Sequence, residues 1–257
     1  RRQRQMCIRD RNTLVKDKFG RNRFVLETFV KFGAPEEILW ESKPHIGTDI
    51  LIEVVERMRE EIIRLGGEFL FHSQVTDILP KENCLIVNGC HRIETDAAVF
   101  AVGHSARDTF EMLEKRNINM TAKSFAVGLR LEHPQSFINY NAYGDSAYKM
   151  PAADYKVTYQ TEAGRGVYSF CMCPGGYVVN ASSEKNMLAV NGMSYSGRNS
   201  GNANSAIIVT VTPDDYGNNG ALAGMYYQRE LEKLAYRYGD GNVPVQLLED
   251  LSLIHIS

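Results

Sequence analysis

The chain has 257 residues, 44% of them hydrophobic and 23% charged, with a formal net charge of -2. That length suits one large or two medium domains with a proper core. No apolar run approaches the length needed to span a bilayer, and the near-neutral charge gives no bias toward nucleic acid, so both classes are set aside. Five cysteines (Cys7, Cys84, Cys90, Cys171 and Cys173) without a preceding secretory signal predict reduced thiols and a cytoplasmic setting.

Residues 1–11 (RRQRQMCIRDR) and 251–257 (LSLIHIS) read as translated sequencing-adapter sequence, so the chain reads as an internal fragment. The first 31 residues hold ten Lys and Arg against three acids, but half of those basic residues fall in the first eleven. A basic nucleic-acid arm is therefore discounted. From Thr13 onward, Phe24, Val25, Phe29 and Phe32 recur at near-helical spacing, and Gly33 with Pro35 ends that helix. Pro44 and Gly47 make the next stretch a loop that delivers Thr48 or Asp49 as a helix cap. A helix over 50–65 is expected to bury Leu51, Val54, Val55, Met58, Ile62 and Leu65. Residues 68–79 then read as a strand kinked at His72 and Ser73. A hairpin over 83–94 turns at Asn88-Gly89.

His91 to Asp108, HRIETDAAVFAVGHSARD, organises the rest. Ala97 to Val102 is a continuous apolar run, the signature of an inner parallel strand buried on both faces. Gly103 turns the chain, and Ser105 with Asp108 spells a capping box for a helix that follows at once. Such a turn offers free amides at a strand's carboxyl edge, where open α/β sheets bind phosphates and dinucleotides. Beyond Met120 the pattern changes to short strands over 124–131, 157–161, 166–171, 176–181, 188–192 and 206–212, an antiparallel second unit. A helix over 222–238 closes it, with Leu222, Met225, Tyr226, Leu234 and Tyr238 on the buried side.

The order helix, strand, hairpin, buried strand resembles the flavin-binding domain of the glutathione-reductase-like group of FAD proteins. Four motifs sharpen the likeness: SKPHIGTD (42–49), AVGHSARDTFEML (101–113), YSFCMCPGGYVVNASSE (168–184) and NANSAIIVTVTPDDYG (202–217). Together they resemble a family of poorly characterised FAD-dependent dehydrogenases or oxidoreductases over nearly all of 13–250. The resemblance implies an α/β fold: a partial Rossmann-like FAD-binding domain over 13–119, and an inserted antiparallel β-plus-helix substrate domain over 120–250. The G-x-G-x-x-G turn and closing flavin segment of that family have no counterpart in this sequence. The resemblance further implies a flavin that takes hydride or electrons from a small-molecule substrate held between the domains, with NAD(P) as a possible electron partner.

For the site, the resemblance implies FAD contacts from Ala101, Val102, Gly103, His104 and Ser105, a phosphate partner in Arg107, and an adenine contact at Val75. The plain alternatives are a capped helix after a core strand, and a core valine. His45, with Gly47 and Thr48 beside it, is expected to face the flavin ring; otherwise it is an exposed loop histidine. Cys171 and Cys173 lie on one face of a strand and are read as a redox pair, half a metal site, a thiol near the flavin (Cys173), or buried packing. No metal site is expected, since Cys84 and Cys90 supply no matching pair. Pro174, Gly175 and Gly176 allow close backbone approach to a planar ligand, or simply turn a hairpin. The glycine-rich loop 191–204, with Arg198 its single cation, covers the flavin, binds an anionic substrate, or is merely flexible. The rival functional class is a non-catalytic scaffold that keeps the flavoprotein fold.

Overall fold

A computed structural model of the chain describes residues 19–41, 44–217 and 220–253, with side chains to 250. The adapter-like 1–11, the last four residues of 251–257, and Ser42 and Lys43 of the first motif lie outside the described residues. The chain divides into two units that interleave in sequence. The first takes the described residues up to Phe69 with Gly128–Val179 and Gly192–Ile208; the second takes Leu70–Val127, Asn180–Asn191 and the described residues from Val209. The architecture is α/β in the sense of mixed helices and sheets, antiparallel wherever a register is defined.

In the first unit, helix α1 (Arg21–Lys31) and helix α2 (Thr48–Arg64) are joined through a short 3-10 turn at Glu36–Leu39. Ala34, Ile38 and Val54 form their buried core, with Phe29, Phe32, Ile50 and Met58 packed on it. The expected stripe on α2 is therefore right at Val54 and Met58. Leu51, Val55, Ile62 and Leu65 instead face out, being 37%, 54%, 46% and 70% exposed. Residues four apart from Ile50 make the real seam, because only they share the turn that faces Ile38. Most of a four-stranded sheet belongs to this unit, in the order β4 (Phe125–Pro134), β9 (Asn202–Val211), β6 (Gly166–Cys173), β5 (Thr158–Gln160). Strands β7 (Tyr177–Asn180) and β8 (Val190–Met193) pair separately. Helix α4 (Gln135–Tyr143), numbered after helix α3 (Arg107–Lys115) of the second unit, was not foreseen, since QSFINYNAY has no clear apolar period. It is anchored by a polar residue: Gln135, 5% exposed, donates to the Ala153 carbonyl at 2.9 Å.

In the second unit, β1 (Val75–Leu79), β2 (Cys84–Val87) and β3 (His91–Glu94) form an antiparallel meander. The Asn-Gly turn is as expected, with Asn88 and Gly89 both at positive φ. The Asn88 side chain also accepts from the Gln74 amide and donates to the His72 carbonyl, both at 2.9 Å. This explains why β1 is five residues long rather than twelve. His72 sits at φ 55, the chain turns there, and Phe71 is left 66% exposed.

Two central expectations are corrected here. Ala97 to Val102 forms no strand, and Val99 is 92% exposed. A strand buried on both faces needs neighbours to satisfy its backbone, and no strand among the described residues pairs with this one. Apolar composition says that a segment is to be covered; it does not supply the cover. Nor does the Ser105–Asp108 capping box form. Helix α3 (Arg107–Lys115) starts after Ala106 with no side-chain cap, and Asp108 instead accepts from Gln74 Nε2 at 2.5 Å.

A capping box does form at Thr212 and Asp215, before the short helix α5 (Pro213–Tyr216). Helix α6 (Ala223–Tyr238) buries Leu222 and Gly224 at its start, but Tyr226, Leu234 and Tyr238 are exposed. Its inward side is partly ionic. Arg229 bonds Glu184 and Glu111, and Glu232 bonds Arg107. Hydrophobic periodicity is blind to a helix face that buries paired charges. A last helix, α7, covers Leu248–Leu253.

Candidate functional site

In the first unit the loop before α2 is clamped to the loop after β8. Thr48 Oγ1 donates to the Ser194 carbonyl at 3.0 Å, and the Asp49 carboxylate accepts from the Ser196 amide and hydroxyl at 2.9 and 2.6 Å. His45 Nε2 lies 3.3 Å from the Tyr195 carbonyl, to which it donates. Gly47 is required by this contact, since a Cβ there would sit 2.6 Å from Ser196 Cα. Ser194 Oγ in turn donates to the Pro174 carbonyl at 3.0 Å. Gly175, at φ 55, lies so close to the backbone of Arg198 that any side chain would collide with it. Its amide donates to Gln135 Oε1 at 2.8 Å.

Two stretches far apart in sequence, His45 to Thr48 and Pro174 to Gly176, therefore meet on one loop, 193–198. The close approach assigned at Gly175 to a planar ligand is made by the chain's own Arg198. Burial and the neighbouring positive charge of Arg198 hold the His45 imidazole below its ordinary pKa, against weaker opposing effects from the hydrogen bond to the Tyr195 carbonyl and from Glu41 and Asp49. His45 is thus a neutral base at physiological pH. With Nε2 donating to a carbonyl, the lone pair lies on Nδ1, which has no partner among the described residues.

Beside this wall, Cys171 occupies the left-handed region at φ 45, which interrupts the alternation of β6. Cys173 Sγ lies 3.3 Å from an Arg130 nitrogen and 3.3 Å from the Cys171 carbonyl. Arg130 also donates to the Asn204 side chain and the Cys171 carbonyl, both at 2.6 Å. The four described cysteines are all free thiols, and no cluster of metal-ligating side chains occurs among the described residues. Sequence reasoning missed Arg130 and Gln135, and read Asp49 only as a helix cap, a position that Gly47 takes with no side-chain cap. Their partners lie many residues away, and no local spacing announces them.

In the second unit a cleft of about 420 Å³ is lined by Val75, Leu85, Phe100, Val102, Asp108 and Thr109 among others. It falls within the size range of small-molecule pockets. Gly103 is at φ 73, in open space, with nothing that would meet a Cβ within 4 Å. Ala101, His104 and Ser105 are exposed. Arg107 is not. It is 3% exposed, with its terminal nitrogens given to Glu184 and Glu232. Its charge is met inside this unit.

Residues 124–254, just over half of the chain, match the model of a family described as FAD-dependent protein, C-terminal domain-like. The chain belongs to that family. An uncharacterized protein of Clostridium beijerinckii is 51% identical over 253 residues, covering 95% of this chain and 47% of its own length. The chain thus spans about half the length of that curated relative.

Of a flavin dinucleotide, the mainly apolar cleft, with Val75 and Val102 on its walls and the open positive-φ turn at Gly103 nearby, has the volume and lining to take the adenosine end. Arg107 does not fit as a phosphate ligand while it is paired. No helix is long and apolar enough to cross a membrane among the described residues.

Proposed function

We propose that this chain is part of an FAD-dependent oxidoreductase of the glutathione-reductase-like kind, acting on a small-molecule substrate. The observation that carries this reading is the family match together with the cleft that gathers Val75, Val102 and Asp108 beside the Gly103 turn. When bound, FAD supplies the redox chemistry, taking two electrons from a donor and passing them to a second acceptor, for which NAD(P) is a candidate. Everything else falls to the residues. Val75, Ala101, Val102, Gly103, His104 and Ser105 would hold the adenosine end, with backbone groups rather than Arg107 meeting the phosphates. His45 Nδ1 would take the proton that a substrate gives up as its hydride leaves; a neutral ring whose other nitrogen is held by Tyr195 supports that role. Cys173, fixed by Arg130, is the second group assigned to the chemistry. Residues 13–119 would then serve the flavin and 120–250 the substrate.

A second reading, a scaffold that keeps the fold without turnover, is favoured by the engagement of Arg107 with two carboxylates. A visible absorption spectrum of the purified full-length parent protein separates the two. The two bands of bound oxidised flavin, bleached by an added donor, are expected. A folded, colourless protein that cannot be reconstituted with FAD would end the enzyme reading.

A further inference from the structure

We propose that Arg198, on the loop that also holds His45, binds the oxyanion, carboxylate or phosphate, of a small acidic substrate. The proposal rests on the reading that the His45 wall meets the substrate, and adds its chemical class. The first observation is an unmatched charge. Arg107 and Arg229 are each answered by carboxylates, whereas the Arg198 side chain has no hydrogen-bond or ion-pair partner among the described residues. Its Nε is buried and unsatisfied, as is that of Arg107, but the rest of the Arg107 guanidinium is met by Glu184 and Glu232 whereas that of Arg198 is not met among the described residues. A buried donor without an acceptor is costly, so an arrangement that keeps one is best explained by an acceptor that arrives from outside.

The second observation is that the loop holding Arg198 is rigidly placed. Thr48, Asp49 and Pro174 all bond Ser194 or Ser196, the Arg198 amide donates to the Tyr195 carbonyl at 3.2 Å, and its backbone is wedged against Gly175. Arg198 itself is held at φ 45, an unfavourable conformation for a residue with a Cβ. A clamped, strained backbone presenting a partly desolvated guanidinium is a preorganised oxyanion receptor, since the planar fork matches a carboxylate or phosphate edge. Asp49 does not compete, because both its oxygens are taken by Ser196. The third observation is His45: its Nε2 and the Arg198 amide both donate to the Tyr195 carbonyl, so the imidazole and the guanidinium belong to one wall, and the Nδ1 lone pair stays free beside an anion held by Arg198.

The test uses the FAD-loaded full-length protein, with sulfate as the probe and chloride at matched ionic strength as the control, read by titration calorimetry. Wild type is expected to bind sulfate saturably. Arg198→Gln should weaken that binding about tenfold or more, Arg198→Lys by less, and flavin absorbance per protein should be unchanged in both. No saturable sulfate binding to wild type, or equal binding to Arg198→Gln, overturns the proposal. Sulfate binding seen only after flavin removal, or flavin lost with Arg198→Gln, also overturns it, because the anion would then be the phosphate of FAD. A colourless protein that still binds sulfate through Arg198 would uphold the anion site while ending the flavin reading.

Discussion

Glycine at 175 and glycine at 103 share a positive φ but differ in what surrounds them, and that difference is measurable. At Gly175 a side chain meets the Arg198 backbone, whereas at Gly103 it meets nothing within 4 Å. Gly175→Ala should therefore cost about 2 kcal/mol or more, from overpacking added to left-handed strain. Gly103→Ala should cost about 1 kcal/mol, from the conformation alone. Urea denaturation of the two variants checks this: a lower midpoint at unchanged slope for both, with the larger drop at Gly175. If Gly103 faces phosphate as proposed, its variant should lose flavin affinity out of proportion to that small loss of stability.

His45 gives the pH prediction at the same scale. Its folded pKa is depressed below 6.5, first by burial and then by Arg198, so the unfolded chain takes up the proton more readily. The stability this residue allows is complete above 6.5 and declines as pH falls from there toward the depressed folded value. Replacing it by His45→Gln should flatten that part of the stability profile, below pH 6.5. A profile unchanged in slope would show that His45 titrates normally.

At the scale of elements, α3 and α6 are tied by charge as well as by apolar packing. Arg107 is 3% exposed and serves both Glu184 and Glu232, while Arg229 serves Glu184 and Glu111. Arg107→Met leaves two carboxylates facing an apolar side chain, and a loss of about 3–5 kcal/mol is expected because breaking a buried pair costs more than the pair contributes. Thermal unfolding checks it. Hydrogen bonds from Arg229, and then from Arg107, hold the Glu184 carboxyl below its ordinary pKa. Its contribution is therefore present above 4.5 and is lost as pH falls through the lowered value, a loss absent in Glu184→Gln. The hairpin and the six short strands were legible in sequence because Asn-Gly turns and glycine punctuation act locally. The inward face of α6 was not, because its ionic partners Glu184 and Arg107 lie tens of residues away.

At the scale of the whole molecule, the run from Ala97 to Val102 carries the main consequence. Val99 is 92% exposed and Val102 48% exposed, a row of apolar side chains without a neighbouring strand among the described residues. Such a row drives association. Val99→Asp should reduce self-association of this chain in light scattering, with no loss of helical signal. Equal aggregation would show that another surface, such as the exposed side of α2, is responsible.

By itself the sequence determined the Asn88-Gly89 turn, the six short strands beyond Met120, and the loop character of His45 to Gly47 and of Pro174 to Gly176. Each of these depends on neighbours within a few residues, where backbone sterics and side-chain period decide the outcome. Only the tertiary structure decided that those two stretches meet on one loop, that Gly175 receives the Arg198 backbone, that Arg107 is spent on carboxylates, and that Ala97 to Val102 does not become a strand. Each of those depends on a partner distant in sequence. Composition can state that a group needs a partner, but only the folded chain brings one to it or leaves it, as at Arg198, without one among the described residues.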